Sequence, residues 1–223
     1  MNMNSAFKSK IGETIVQFDD ITRFAGEMWL SDGCVFVASL KVADSWIHKQ
    51  DHGRINQVHV VDSVYLDFQD VKDRERMLDT SQYVLSKAVD SRIVLVPVHI
   101  TVDIQHWCAA IVNFGSNIIW IYDPKTRNDH FDAIDTIVTE KLVPVVDKTC
   151  KLTIRRSSAW HQTDGRNCDV LIIKWFETYL NVASNTKLDE DLKDPTPQLI
   201  SDKVPDECRY QMFQSVFSDV ATS

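Results

Sequence analysis

The stretch from Val170 to Leu180 constrains the fold more than any other part of the sequence, because it predicts a helix with almost no polar face. A helix of this kind is stable only when other elements surround it. The polar turn at Asp164-Gly165 precedes it, and Asn167 is a favourable N-cap residue. We therefore predict a buried helix that begins at a polar turn and runs through the middle of the core.

Cys168 falls in the first turn of this helix, where unpaired backbone N–H groups and the helix dipole favour a thiolate over a thiol. A lone cysteine is more often simply a small hydrophobic residue, and this alternative stays open. Gln162 lies six positions earlier across a glycine-containing turn, so its amide can fold back beside the sulfur as a donor to an oxyanion. The two residues together indicate a reactive thiol.

The composition favours a single domain of enzyme size. With 223 residues, of which 44% are hydrophobic, the chain is long enough to bury one substantial core. The net charge of −8 and the lack of a long basic run make nucleic acid a poor default partner. No apolar run approaches the length of a membrane span, so we expect no membrane partner either.

The spacing of the cysteines and histidines argues against disulfide and metal sites. The five cysteines are odd in number and widely spaced, without a C-x-x-C pair, which argues against a disulfide framework or a zinc ribbon. The seven histidines show no spacing typical of metal ligands, so we expect neither a metal nor a cofactor. The start of the chain lacks the apolar region of a secretion signal. We expect an intracellular protein of the nucleus or cytoplasm.

Three apolar runs predict most of a sheet. The continuous β-branched run Ile93–Ile100 is typical of a strand buried on both faces, although Pro97 suits an edge or a bulge better. Trp107–Phe114 and Ile118–Asp123 are two further strands, and the Gly115-Ser116-Asn117 segment between them predicts a hairpin.

The register of this hairpin predicts a pair of side chains. If Gly115-Ser116 is a two-residue turn, paired positions sum to 231, so Asp123 lies opposite residue 108. His106 is then a diagonal neighbour on the same face, at about 7–8 Å between Cα atoms, within reach of a carboxylate. A three-residue loop would shift the register by one.

Helices are expected around the sheet, and Trp29 is expected to anchor the start of the first of them. The predicted helices cover Ser31 to about Lys49, Ser81–Val89, Phe131–Leu142 with Pro144 as the terminator, and Asp206–Val216.

The order of the chemically active residues matches a cysteine protease: His106-Trp107, then Asp123, then Gln162 and Cys168. With this spacing the sequence resembles the ubiquitin-like-protein-specific (SUMO or sentrin) proteases, and more distantly the adenovirus-type proteases. The matching segments are WLSD, VLVPVHITVDIQHWCAAIVNFGSNIIWIYDP and QTDGRNCDVLIIKWFE, which together span most of the chain from Trp29 to Leu180.

The resemblance implies a papain-like α+β fold, in which helices pack on a central mixed sheet and the nucleophile begins a buried helix. It implies a triad of His106, Asp123 and Cys168. Gln162 is then the oxyanion donor, and Trp29 and Trp107 flank the slot that admits a narrow Gly-Gly tail. The implied partner is a ubiquitin-like modifier (SUMO, NEDD8 or ubiquitin) and its conjugates.

This interpretation divides the chain into three parts. Residues 1–25 form an N-terminal extension, and residues 26–183 form the protease-like catalytic domain. Residues 184–223 form a linker and a C-terminal helix that packs on the same domain.

Asp169 departs from the family pattern, which usually has glycine directly after the nucleophile, and Asn167 stands where an acid is common. A carboxylate beside the thiol disfavours the thiolate. We expect Asp169 to face solvent or to cap the helix, leaving a weak activity that Asp169→Gly raises on the order of tenfold. The alternative is a catalytically impaired protein that binds ubiquitin-like modifiers.

Overall fold

The structure is a computed structural model that describes residues 4–8, 13–26, 28–49, 58–80, 92–146, 151–157, 160–184 and 203–222. The helix predicted at 81–89 lies outside these ranges, as does the predicted linker after Ser184.

In the described ranges, the helices are α1 (Phe18–Ala25), α2 (Asp32–Lys49), α3 (Val71–Thr80), α4 (Asn128–Ile137), α5 (Val143–Val146), α6 (Cys168–Ser184) and α7 (Lys203–Thr222). The strands are β1 (Asn4–Lys8), β2 (Glu13–Gln17), β3 (Val58–Val60), β4 (Ile93–Thr101), β5 (Gln105–Asn113), β6 (Ile118–Tyr122) and β7 (Thr153–Arg156). A 3-10 helix covers Ser63–Asp67.

A mixed sheet of the described strands has the order β3-β4-β5-β6-β7, while β1 and β2 pair separately. The central pairs β4–β5 and β5–β6 are antiparallel, and the outer strands β3 and β7 run parallel to their neighbours. The β5–β6 register pairs Asn113 with Ile118 and Ala109 with Tyr122, so paired numbers sum to 231 as predicted. The predicted register is therefore confirmed. The turn itself covers residues 114–117 and has its positive φ of 55° at Asn117 and not at Gly115, so it is a four-residue loop, which leaves the register the same as the predicted two-residue turn would.

Pro97 is accommodated inside the sheet because β3 ends before reaching it. Leu95 accepts a hydrogen bond from Val61 on the β3 side, and alternation along the strand turns the Pro97 nitrogen to the same side. No β3 residue pairs beyond Leu95 in the described structure, so the missing N–H of Pro97 costs no ladder hydrogen bond.

Helix α6 confirms the prediction of a buried central helix. It lies against α2 and β5, and Trp175, Phe176 and Tyr179 are fully buried in that layer. Helix α4 covers the opposite face of the sheet, where Phe131 and Ile134 pack in one cluster with Val112 of β5.

Pro144 does not end a helix as predicted. A π-helical turn, Val138–Leu142, follows α4, and α5 continues through Pro144. A wider turn before the proline moves the carbonyl that its ring would otherwise meet, which explains why the chain stays helical.

Helices α1 and α7 pack on the same core as α6. Phe24 of α1 and Val216 of α7 lie in one buried cluster with residues of α6, and α7 contacts both α1 and α6. No helix among the described residues is long and apolar enough to cross a bilayer.

Candidate active site

His106 and Asp123 form a buried pair at the end of the β5–β6 hairpin. The distance from His106 Nε2 to Asp123 Oδ1 is 2.7 Å, and the two side chains are 1% and 0% exposed. The carboxylate also accepts the backbone N–H of Lys125 at Oδ1 and that of Arg127 at Oδ2. The diagonal neighbours predicted from the hairpin register therefore meet.

These contacts fix the protonation of the pair. Burial alone raises the pKa of Asp123, but the hydrogen bonds from His106 and from the Arg127 and Lys125 backbone outweigh it and bring the pKa to about 2. Because an ionised carboxylate only accepts hydrogen bonds, the proton of neutral His106 lies on Nε2 and Nδ1 is the free acceptor. Burial lowers the pKa of His106 despite Asp123, so the imidazole is neutral and able to act as a base.

Cys168 is the first residue of α6, as predicted, but its thiol is not the thiolate that a helix start was expected to favour. The side chain is 2% exposed. Burial and then the charge of Asp169 raise the pKa of the Cys168 thiol to about 12, although the backbone N–H groups of Trp107 and Asp169 act in the opposite direction. Desolvation outweighs the helix dipole here, and the resting side chain is a neutral thiol.

The strand that carries the imidazole also reaches the sulfur. The backbone N–H that acts on Cys168 belongs to Trp107, the residue after His106. Within the described structure no hydrogen bond joins the Cys168 sulfur to His106, whose hydrogen bond goes to Asp123. The structure thus pairs His106 with Asp123 and brings the backbone N–H of the next strand residue, Trp107, to the Cys168 sulfur.

The loop after Asp123 is hydrogen-bonded to the loop before Cys168. The backbone N–H of Gln162 donates to the carbonyl of Pro124 at 2.6 Å, directly after Asp123. Thr126 Oγ1 and His161 Nδ1 lie 2.9 Å apart across the same two loops. These contacts hold the loop before Cys168 against the end of β6.

Gln162 is buried in that loop, and its amide is oriented by an acid. Nε2 donates to Asp164 Oδ1 at 3.0 Å, and Oε1 is buried without a hydrogen-bond partner in the described structure. An amide nitrogen carries two hydrogens, so one remains for another acceptor. Asp164 also accepts the backbone N–H groups of Arg166 and Asn167, which fixes the whole turn.

The indoles of the two tryptophans predicted to contact substrate both donate to backbone carbonyls, one before Cys168 and one beside Trp29 itself. Trp29 Nε1 donates to the carbonyl of Gly165 at 3.2 Å, while its side chain remains partly exposed. Trp107 is buried, and its Nε1 donates to the carbonyl of Leu30 at 3.3 Å. The segment around Trp29 therefore bonds both to the loop before Cys168 and to β5.

The expectation that Asp169 faces solvent is wrong, whereas the alternative, that it caps the helix, agrees with its bond to the first-turn N–H of Val170. Asp169 is fully buried, and its carboxylate accepts the backbone N–H groups of Leu30 at 2.6 Å and of Val170 at 2.7 Å. Arg209 of α7 donates to Asp169 Oδ1 at 3.1 Å, to Asn167 Oδ1 and to the carbonyl of Met28. Burial raises the pKa of Asp169, and Arg209 acts against this.

Sequence reasoning missed Arg209 and also His130, the second imidazole at the site. His130 Nδ1 lies 3.2 Å from Asp123 Oδ2, and the rings of His130 and His106 are 4.7 Å apart. The donor atoms of His106, Asp123 and His130 lie within 4.8 Å of one another, close enough to consider a metal. Both carboxylate oxygens already accept hydrogen bonds, which accounts for the cluster without an ion.

No protein-family model matches the sequence, and no curated protein sequence matches it. Solved structures do match. A de-sumoylating protease is 16% identical with a TM-score of 0.67, over 99% of this chain and 93% of that one. The C-terminal Ulp1 protease domain in complex with Smt3, the yeast ortholog of SUMO, is 16% identical with a TM-score of 0.65, over 98% and 90%.

A third match is the Xanthomonas campestris effector XopD bound to ubiquitin, which is 18% identical with a TM-score of 0.57, over 84% of this chain and 91% of that one. The architecture is therefore a cysteine-protease fold. More narrowly, it is the fold of the SUMO-type proteases, and the predicted fold class is confirmed.

Proposed function

We propose that the protein is a cysteine peptidase that cleaves after the C-terminal Gly-Gly of a ubiquitin-like modifier. The observation that carries this proposal is the buried His106–Asp123 pair at 2.7 Å, on the strand whose next residue contacts the Cys168 sulfur. A base held by a carboxylate and placed beside a thiol at a helix start is the arrangement that nucleophilic acyl transfer requires.

The reaction begins with a proton transfer. Cys168 gives its proton to His106 Nδ1, and the thiolate attacks the carbonyl carbon of the terminal glycine. The developing oxyanion is stabilised by the Gln162 amide and by the positive end of the α6 dipole. Asp123, which is ionised, stabilises the imidazolium that forms.

Collapse of the tetrahedral intermediate breaks the bond to the leaving amine, which takes the proton from His106. A thioester between the glycine and Cys168 remains. Water then loses a proton to His106 and attacks the thioester, releasing the modifier carboxylate and restoring the thiol. No metal or cofactor takes part in this scheme.

The burial of Cys168 makes the reaction dependent on the substrate. With a pKa of about 12, the thiol does not ionise alone at neutral pH. Transfer of the thiol proton to His106 creates a thiolate and an imidazolium. This transfer becomes favourable when the carbonyl of a bound tail stabilises that charge pair. We infer that the narrow tail enters between Trp29 and Trp107, and that its entry exposes the buried Cys168 thiol.

Two arguments support the modifier class: the entry route proposed above and the solved structures with the same fold. An entry between two indoles beside the buried Cys168 thiol would accept a tail without side chains, as at the C-terminus of ubiquitin-like proteins. Structures with the same fold are recorded with Smt3 and with ubiquitin. We propose SUMO-like, NEDD8-like or ubiquitin-like modifiers as the partners, and their conjugates as substrates.

A second candidate function is binding without cleavage. Asp169 favours it, because its charge is among the causes that raise the pKa of the Cys168 thiol. Arg209 at 3.1 Å compensates much of that charge, so we place catalysis first.

Activity probes of SUMO, NEDD8 and ubiquitin with a C-terminal electrophile test the proposal. We expect at least one probe to form an adduct that peptide mapping assigns to Cys168, and Cys168→Ala to abolish it. Cys208→Ala is the matched control, because Cys208 is 8% exposed against 2% for Cys168 and lies on α7. Adducts at Cys208, Cys34 or Cys108 in preference to Cys168 contradict the assignment.

A further inference from the structure

His130 is a fully buried imidazole that the triad chemistry does not use. It lies at the start of α4 and is 0% exposed. Nδ1 approaches Asp123 Oδ2 at 3.2 Å but is not aligned for a hydrogen bond, and neither ring nitrogen has a hydrogen-bond partner in the described structure. An unpaired buried polar group destabilises a fold, so its presence calls for a reason.

The surroundings of His130 supply that reason. On one side its ring lies against the ring of His106, with 4.7 Å between centroids and 38° between planes. On another side is the oxygen of Asp123 that His106 does not use. His130 Nε2 points toward Asp103, whose Oδ1 is 3.9 Å away and whose side chain is half exposed. Carboxylate and imidazole groups therefore alternate from the surface at Asp103 to the proposed base at His106.

We propose that His130 is a positioning residue for the His106–Asp123 pair, holding the second oxygen of Asp123 and thereby setting how readily His106 takes up a proton. This role rests on the proposed function for the reaction that it serves.

His130 lowers the pKa of His106 through two physical effects. A small rotation of the His130 ring turns Nδ1–H toward Asp123 Oδ2, and a carboxylate that accepts another hydrogen bond stabilises an imidazolium less strongly. The His130 ring also lies 4.7 Å from the ring of His106, where it disfavours the charged form of His106 and contributes to its lowered pKa. Both effects keep His106 neutral, which is the state needed to accept the Cys168 proton.

Other ionisable groups adjoin the two imidazoles. They are Cys108 from β5, which lies 3.8 Å from Asp123 Oδ1, Asp103 before β5, Lys125 after β6, and Arg127 and Asp129 at the start of α4. Arg127 bonds to both Asp103 and Asp129, so its single positive charge is shared between two carboxylates and this cluster stays negative.

The test is the titration of His106 by imidazole NMR in the full chain carrying Cys168→Ala, which needs no activity. We expect His130→Phe, which keeps the ring and removes both nitrogens, to raise the His106 pKa by about one unit. His130→Asn keeps an N–H at the position of Nδ1 and is expected to leave the pKa within a few tenths of a unit of the parent value.

His130→Gln keeps a polar amide but places it at the position of Nε2, so it is expected to shift the pKa as His130→Phe does. The Asn and Gln variants bury similar polar groups, and their comparison decides the question even if His130→Phe does not fold. An unchanged His106 pKa in His130→Phe and His130→Gln overturns the proposal, as does an equal shift in the Asn and Gln variants.

The pH profile of kcat/KM for Gly-Gly cleavage gives the second measurement. The acidic limb should move to higher pH by the same amount in the Phe and Gln variants and stay in place in the Asn variant. A purely structural role would lower activity without moving the limb, which also overturns the proposal. If wild type cleaves no modifier while the NMR shifts appear, the proposed function fails and the control of His106 by His130 stands.

Discussion

The Asp169 carboxylate and the Arg209 guanidinium form an ion pair of 3.1 Å between α6 and α7, with side-chain exposures of 0% and 6%. Arg209 also bonds to Asn167 on one side of Cys168 and to the carbonyl of Met28 beside Trp29. Helix α7 therefore supports the start of α6, where Cys168 lies. The buried Asp169 carboxylate is accommodated because α7 brings a cation to it.

Arg209→Met should destabilise the protein by about 3–5 kcal/mol, because it leaves the Asp169 carboxylate buried and unpaired. Urea unfolding measures this loss. Arg166→Met is the matched control, since Arg166 pairs with Asp206 at 3.6 Å on the surface, and its loss should cost less than about 1 kcal/mol. The double change Asp169→Asn with Arg209→Met should recover much of the stability. Additive losses in the double variant would show that the two residues are not coupled.

Asp169→Gly is now expected to destabilise the protein as strongly as Arg209→Met, since it leaves the buried guanidinium unpaired. Asp169→Asn removes the charge and keeps the shape, because the amide oxygen can still accept the Leu30 N–H; like Asp169→Gly it leaves Arg209 without a carboxylate, so its effect on the thiol is measured under conditions where the variant is folded. Removing the charge should lower the pKa of the Cys168 thiol by about one unit and raise kcat/KM near neutral pH several-fold. Alkylation rates measured against pH report the thiol pKa. A pKa unchanged in Asp169→Asn would mean that Asp169 does not control the thiol.

The sequence predicted the parts of the site that depend on local pattern. Placing the centre of the hairpin at Gly115-Ser116 predicted the register, and the register predicted that His106 and Asp123 meet. The apolar run after Asn167 likewise predicted a buried helix with Cys168 at its start. Each of these inferences uses residues that are near in sequence or joined by one hairpin.

The remaining features depend on how distant elements pack. Arg209 reaches Asp169 only because α7 lies against α1 and α6, and His130 reaches Asp123 because α4 returns over the sheet. The raised pKa of Cys168 arises chiefly from burial, which a helix position alone does not reveal.

His106 and Asp123 should behave as one catalytic unit. His106→Ala and Asp123→Asn should each lower kcat strongly, and the double variant should be little worse than His106→Ala alone, because the carboxylate acts through the imidazole. Steady-state kinetics with a fluorogenic modifier substrate measure all three. Multiplied losses in the double variant would argue that the two residues act separately.

The resting thiol should react slowly with a small electrophile. With a pKa of about 12 and 2% exposure, Cys168 should be alkylated by iodoacetamide at neutral pH far more slowly than a free cysteine, and the rate should rise with pH. A modifier probe should label the same residue rapidly, because its tail opens the site. Mass spectrometry of the Cys168 peptide compares the two rates. Rapid alkylation by iodoacetamide at pH 7 would show that the thiol is already ionised and accessible.

The most direct test of the account is the hydrolysis of C-terminal fluorogenic derivatives of SUMO, NEDD8 and ubiquitin by the full chain, with Cys168→Ala in parallel. We predict that wild type releases the fluorophore from at least one modifier and that Cys168→Ala does not. If wild type binds a modifier but hydrolyses none, while Asp169→Asn hydrolyses it, the protein is a modifier-binding protein and the proposed peptidase activity is contradicted.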